Sequence, residues 1–200
     1  DPSVVMTADG KIYVAWFSDR TGNGDIYIAM TDDGIAWTAP VQVTSDPGGE
    51  FNPSLYLDKN GVFHLTWFRW TALFVGNIIY NSSTDGLTWN QANEQYVTNT
   101  PNVDDWVPTL TQLGDSTLLI FFVSYKRDTT NTTNDIYLAT KRSGQPNWDS
   151  AQIVPGLPDD ADSATRTTIA PATPSSSGMA AAIIRAPQAH LATDWEGEAP

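Results

Sequence analysis

Pro2-Ser3-Val4-Val5, followed by Gly10-Lys11-Ile12-Tyr13-Val14-Ala15-Trp16-Phe17, returns as Pro53-Ser54-Leu55-Tyr56, followed by Gly61-Val62-Phe63-His64-Leu65-Thr66-Trp67-Phe68. Proline, glycine and tryptophan all recur 51 positions later, a coincidence that chance does not produce. A third copy runs from Pro108-Thr109-Leu110 to Gly114 and then Leu118-Leu119-Ile120-Phe121-Phe122, with one residue inserted after the glycine. A weaker fourth runs from Pro171 to Gly178 and then Ala180-Ala181-Ala182-Ile183-Ile184.

Each of the first three copies continues with a β-rich stretch: Asp25-Ile26-Tyr27-Ile28-Ala29, Asn77-Ile78-Ile79-Tyr80-Asn81 and Asp135-Ile136-Tyr137-Leu138-Ala139-Thr140. A glycine turn, a tryptophan and a last short strand such as Val41-Gln42-Val43 follow. One unit therefore reads as four short antiparallel strands joined by Gly/Asn/Asp turns, and a repeat of roughly 40 to 55 residues with that content is a propeller blade. No segment keeps a 3.6-residue apolar period, so helices should be scarce. The expectation is an all-β β-propeller region with blades at approximately 1–50, 51–105, 106–165 and an incomplete 166–200. Ala189-His190-Leu191-Ala192-Thr193 matches a third strand, but no outer strand follows it. An open arc leaves unpaired faces, so a larger propeller is expected, closed by remaining blades or by a second copy of the chain.

Ser82-Ser83-Thr84-Asp85-Gly86-Leu87-Thr88-Trp89 resembles the Asp-box of sialidases and other BNR-repeat proteins, and Thr31-Asp32-Asp33-Gly34-Ile35-Ala36-Trp37 is a second instance. Lys141 to Trp148 is a degenerate third, with basic residues where the acid belongs and one extra position. The resemblance covers nearly the whole chain and implies a sialidase-like propeller whose boxes lie at the blade rim, away from any catalytic mouth. A short acid in a turn accepts backbone N–H groups, glycine supplies a positive φ and tryptophan covers the blade edge. Asp32, Gly34, Trp37, Asp85, Gly86 and Trp89 are accordingly expected to be architectural.

Composition narrows the function. With 23 acidic against 10 basic residues the net charge is −13, which lacks the basic footprint of a nucleic-acid or anionic-membrane partner. The chain has no cysteine and two histidines, leaving neither disulfides nor thiolate zinc sites; a metal would be a hard, oxygen-held ion such as Ca2+. Asp19-Arg20-Thr21-Gly22-Asn23-Gly24-Asp25 supplies weak calcium candidates in Asp19 and Asp25, but it also resembles the strand 2–3 hairpin of TolB-type repeats, a shaping role. No other cofactor is expected. Sequons at Asn81 and Asn131 point to an extracellular or cell-surface glycoprotein.

Propeller ligands bind where the loops entering strand 1 and those joining strands 2 and 3 converge. The entry loops carry Glu50, Asp104, Asp105, Trp106 and Arg166; the strand 2–3 loops carry Asp19-Arg20, Arg69-Trp70 and Tyr125-Lys126-Arg127-Asp128. Arg20, Arg69, Trp70, Trp106, Arg127 and Arg166 are the expected ligand-binding set, since arginine pairs with carboxylates and aromatics stack on sugars. The sialidase resemblance would assign Tyr125 as nucleophile, Glu50 as its partner and Asp104 or Asp105 as the acid. The family's Phe/Tyr-Arg-Ile-Pro signature, however, is absent. The leading expectation is therefore an extracellular module binding a glycan or protein, with a sialidase-type exo-glycosidase and a surface-layer or adhesion propeller as alternatives. His64, set against Val14 and Ile120 of the other copies, reads as a buried, satisfied histidine, and Trp16, Trp67, Phe121 and Phe122 as packing between blades.

Overall fold

The computed structural model describes residues 2–71, 75–125, 127 and 134–154; the fourth repeat, with Arg166 and His190, and the sequon Asn131 lie outside the described residues. Among the described residues, twelve strands form three sheets of four, each antiparallel and each in chain order. The first sheet holds β1 (Ser3–Met6), β2 (Ile12–Ser18), β3 (Asp25–Thr31) and β4 (Val41–Gln42). The second holds β5 (Glu50–Leu57), β6 (Phe63–Trp70), β7 (Gly76–Ser83) and β8 (Gln95–Tyr96), and the third β9 (Asp104–Gln112), β10 (Leu118–Tyr125), β11 (Asn134–Lys141) and β12 (Gln152–Ile153). One 3-10 turn, Gln91–Asn93, is the helical content of the described residues. These are three blades of a β-propeller, as the repeat predicts.

Two corrections concern boundaries and register. Glu50 and Asp104 open β5 and β9, so the acids expected in entry loops already belong to the strands, hydrogen-bonded into them by the ladders with β6 and β10. His64 pairs with Tyr56 and Ser82, just as Tyr13 pairs with Val5 and Met30 and Leu119 with Thr111 and Thr140. Its counterparts are thus Tyr13 and Leu119, not Val14 and Ile120, and a one-residue slip of this kind changes the face of the sheet to which a side chain belongs.

Side chains alternate across each strand, so every middle blade presents one apolar row to each neighbour. Tyr13, Ala15, Ile26 and Ile28 of the first blade meet Leu55, Phe63, Leu65, Trp67 and Ile79 of the second in one core. Phe68, Ile78 and Tyr80 then meet Leu110, Ile120, Phe122 and Tyr137 of the third in another. Gly76 exists for this stacking, since a Cβ there would lie 2.6 Å from the Asp105 carbonyl oxygen of the next blade.

The outer face of the first blade has no neighbour among the described residues. The second blade buries Leu55 (6% exposed) and packs Leu57, Leu87 and Trp89 against the first. Their repeat counterparts Val4, Met6, Ile35 and Trp37 are 54%, 66%, 84% and 46% exposed.

The two stretches that resemble Asp-boxes form turns, and the acid that holds the first of them is not the expected Asp32. Asp85 Oδ1 accepts from the backbone N–H groups of Leu87 (2.9 Å) and Thr88 (2.7 Å). In the first blade the same bonds, from Ile35 (2.8 Å) and Ala36 (2.9 Å), go to Asp33, while Asp32 points to solvent. The box acid is therefore Asp33, because the carboxylate must directly precede the glycine to reach those amides. Gly34 and Gly86 both sit at φ 74°, a conformation that disfavours any side chain. The sequon at Asn81 also yields: Asn81 is completely buried in β7, where its Nδ2 donates to the Asn90 carbonyl (3.0 Å) and its Oδ1 accepts from Ser82 N–H. No glycan fits there.

Candidate functional site

β5 and β9 run away from the entry face and β6 and β10 return to it, so the starts of strands 1 and the ends of strands 2 share one end of the sheets. A bulge interrupts β5 between Phe51 and Ser54 and β9 at the matching place. Asn52 and Val107, just before Pro53 and Pro108, both take φ of 50°. That kink sets the first residues of each strand apart from the rest and aims them at neighbouring loops.

Glu50 and Asp105 occupy equivalent places and neither exposes any surface. Glu50 N–H donates to the Gly24 carbonyl (2.7 Å) of the preceding blade, and its Oε1 accepts from Arg69 Nε at 2.6 Å. Arg69 is itself buried: its Nη2 donates to Glu94 Oε2 (2.7 Å), and Nη1 lies 3.7 Å from Asp46 Oδ2. One guanidinium thus serves three carboxylates. Burial pushes the Glu50 carboxyl up to about 7 against the pull of Arg69. Asp105 pairs with Arg127 Nη2, while Arg127 Nη1 reaches Thr100 Oγ1 at 3.2 Å in the segment joining the second and third blades.

A shared device holds two of the loop arginines. Arg20 Nε donates to Ser18 Oγ (3.0 Å), and its guanidinium lies over Tyr27 (4.4 Å to the ring centroid) and Trp16 (5.9 Å), two rings stacked at 6.2 Å. Arg127 Nε likewise donates to Ser124 Oγ (3.2 Å), over Tyr137 (5.4 Å) and Phe122 (5.6 Å). The two differ in partner and exposure: Arg127 is neutralised by a buried aspartate, whereas Arg20 is exposed and forms no ion pair with any described residue.

The expected set of site residues therefore divides. Arg69, read as ligand-binding, is ion-paired with Glu50 and Glu94, and Arg127, read likewise, with Asp105. Glu50 and Asp105, read as catalytic candidates, expose no surface and are the partners in these pairs. Asp104 and Tyr125 stand directly opposite each other across the β9–β10 ladder, both half-buried, and Asp104 Oδ1 accepts from Gly76 N–H (2.8 Å). Trp70 and Trp106 are half-buried against the second core at the same end. Glu94, Asp46 and the aromatic cradle of Arg20 escaped sequence reading; the recurrence of serine two or three residues before arginine, with an Asp-Ile-Tyr in the next strand, was the signal available.

Asp25 is buried, and its Oδ2 accepts from Thr21 Oγ1 (2.5 Å) and Gln42 Nε2 (3.1 Å), which ties the strand 2–3 hairpin to the outer strand. Asp19 closes the tight turn through its carbonyl, which accepts from Gly22 N–H at 2.9 Å. Among the described residues no group of three or more His, Asp or Glu side chains is placed to hold a metal ion. No helix among them is long and apolar enough to cross a membrane.

No protein-family model matches the chain, and no curated protein matches it. Solved structures do. A Hadza microbial sialidase aligns with TM-score 0.58 at 15% identity over 74% of this chain and 36% of its own. An α-L-arabinanase of Penicillium chrysogenum complexed with arabinobiose aligns with TM-score 0.60 at 16% identity, over 77% of this chain and 50% of its own. An ulvan lyase, a polysaccharide lyase bound to a glucuronate–sulfated rhamnose saccharide, aligns with TM-score 0.61 at 7% identity, over 80% and 44%. The chain spans between about a third and a half of the length of these proteins. At such identities the likeness is one of fold.

Proposed function

We propose that the chain is part of an extracellular, carbohydrate-active propeller that takes an acidic saccharide on its entry face, with Arg20 as the carboxylate anchor. The observation that carries this reading is the contrast between Arg20 and its twin Arg127: the same cradle of serine and two aromatic rings, but an open guanidinium in one and a buried aspartate across the other. An arginine whose side chain is already ordered loses little entropy on pairing with a carboxylate, and a bidentate pair adds geometric selection. Trp70 and Trp106 offer surfaces on which a pyranose can stack, and a sialidase, an arabinanase and a saccharide-bound lyase share the fold. The remaining blades would continue the ring from the open face of the first blade.

Calorimetric titration with sialyllactose against lactose tests the binding. Binding should require the sialic acid carboxylate and weaken about tenfold or more in Arg20→Ala, the loss of one charge-assisted hydrogen-bonded pair. Equal affinity for the two sugars would count against it.

The juxtaposition of Asp104 and Tyr125 favours a second reading, glycoside hydrolysis of sialidase type. A phenol beside a carboxylate is a pair from which a nucleophile and a proton-transfer group can be drawn. Turnover of a fluorogenic sialoside that vanishes in Tyr125→Phe would support hydrolysis; binding without turnover leaves the module a lectin-like one.

A further inference from the structure

At the end of the sheets opposite the entry face, the second and third blades leave a cavity of about 240 Å³, lined among others by Asp58, His64, Gln112, Lys141, Arg142 and Gln145. It lies where the Asp-box pattern breaks down. In the first two blades a hydroxyl at the end of the third strand accepts the N–H of the turn glycine, Thr31 from Gly34 (2.9 Å) and Ser83 from Gly86 (3.0 Å). The third blade has Lys141 at that place. Freed from the turn, its ammonium crosses the seam to Gln95 Oε1 (2.6 Å) and stands over Tyr80 (5.7 Å) and Trp148 (6.0 Å). Gln145 takes over the turn instead, its Oε1 accepting from Arg142 N–H at 2.7 Å.

His64 supplies the second half of the argument. Its Nδ1 is 2.7 Å from Tyr80 Oη, and its Nε2, buried, has no hydrogen-bond partner and lies 3.6 Å from Asp58 Oδ2. Asp58 is occupied with its own turn, Oδ1 accepting from Asn60 and Val62 N–H, both at 2.8 Å. Burial holds the imidazole below its ordinary value, hence neutral, and pushes the Tyr80 phenol up to about 12. With the phenol donating to Nδ1, the ring proton sits on Nε2, a buried donor lacking an acceptor, a situation that costs stability unless something fills it. Two basic residues, Lys141 and Arg142, line the mouth, and the exposed Arg142 also pairs through Nη1 with Asp149 Oδ2 at 3.3 Å.

We propose that this seam is a binding site for an oxyanion, a carboxylate or sulfate that is free or carried on a sugar, received by Lys141 Nζ, Arg142 and His64 Nε2–H. The site is independent of the entry face, and its failure would leave the reading of Arg20 untouched. Thermal melts at fixed ionic strength, with sodium sulfate or sodium glucuronate against sodium chloride and glucose, read it out. A saturable rise in midpoint with either anion is expected, reduced at least severalfold in Lys141→Met and His64→Gln. Response to sulfate identifies a free oxyanion as sufficient, and response to glucuronate alone identifies a sugar acid. Arg142, 68% exposed at its side chain, can be changed to Gln without touching the core, so Arg142→Gln decides the matter if the buried variants do not fold. No midpoint shift with either anion, or a shift equally large in wild type, Lys141→Met and Arg142→Gln, overturns the site.

Discussion

Asp33 and Asp85 show how much one position decides. The Asp85 carboxylate accepts two backbone N–H groups and the Thr88 hydroxyl (2.7 Å), and the Thr88 amide above all holds it down to about 2. Asp85→Ala should therefore cost about 1–2 kcal/mol, whereas Asp32→Ala, next to a box yet outside it, should stay within about 0.5 kcal/mol in chemical denaturation. Because the folded value lies below the ordinary 3.8, the contribution of Asp85 is complete above that pH and is lost as pH falls toward 2. Glu50 has the opposite sign. Raised from 4.5 to about 7, it stabilises fully only below pH 4.5, and its contribution is lost as pH rises through 7. Stability measured from pH 4.5 to 7 should fall less steeply in Glu50→Gln than in the wild type; identical slopes would mean that Glu50 is ionised throughout. The identity of the box acid was legible to within one residue, since two adjacent aspartates offer the same chemistry and only the reach to the amides separates them.

At the level of strands and turns, the repeat was legible because each unit must form the same four strands and bury the same two rows. Proline, glycine and tryptophan mark positions that geometry forces. The ion pairs were not legible in this way. Glu50 and Asp105 look like surface acids in a loop, and only the bulges, with the glycines that admit the next blade, turn them inward. Gly76→Ala tests this directly: its Cβ would meet backbone 2.6 Å away, which cannot move without parting the second and third blades. A loss of about 2–4 kcal/mol is expected, in line with overpacking at a site that cannot relax, and is measurable as a shift in denaturant midpoint. The degenerate third box belongs to the same scale. Sequence marks it as a failed turn; the structure gives its lysine another task across the seam.

For the whole molecule, blades stack through apolar rows that repeat with the sequence, and the row on the first blade has nothing upon it among the described residues. Trp37 and Trp89 hold the same place in their turns, but Trp89 packs on the first core and its Nε1 donates to the Gly86 carbonyl (3.0 Å), whereas Trp37 is 46% exposed. Trp89→Ala, which removes a partly buried ring packed on the first core, should cost about 2 kcal/mol, and Trp37→Ala less than about 1 kcal/mol. Oxidative footprinting with mass spectrometry of the chain in solution tests the blade stack most directly. Met6 and Trp37 should react rapidly and the partly buried Trp89 more slowly, while Trp67, fully buried between the first two blades, should be protected until the chain unfolds. Labelling of Trp67 as fast as Met6 and Trp37 would contradict the stacking of the three described blades.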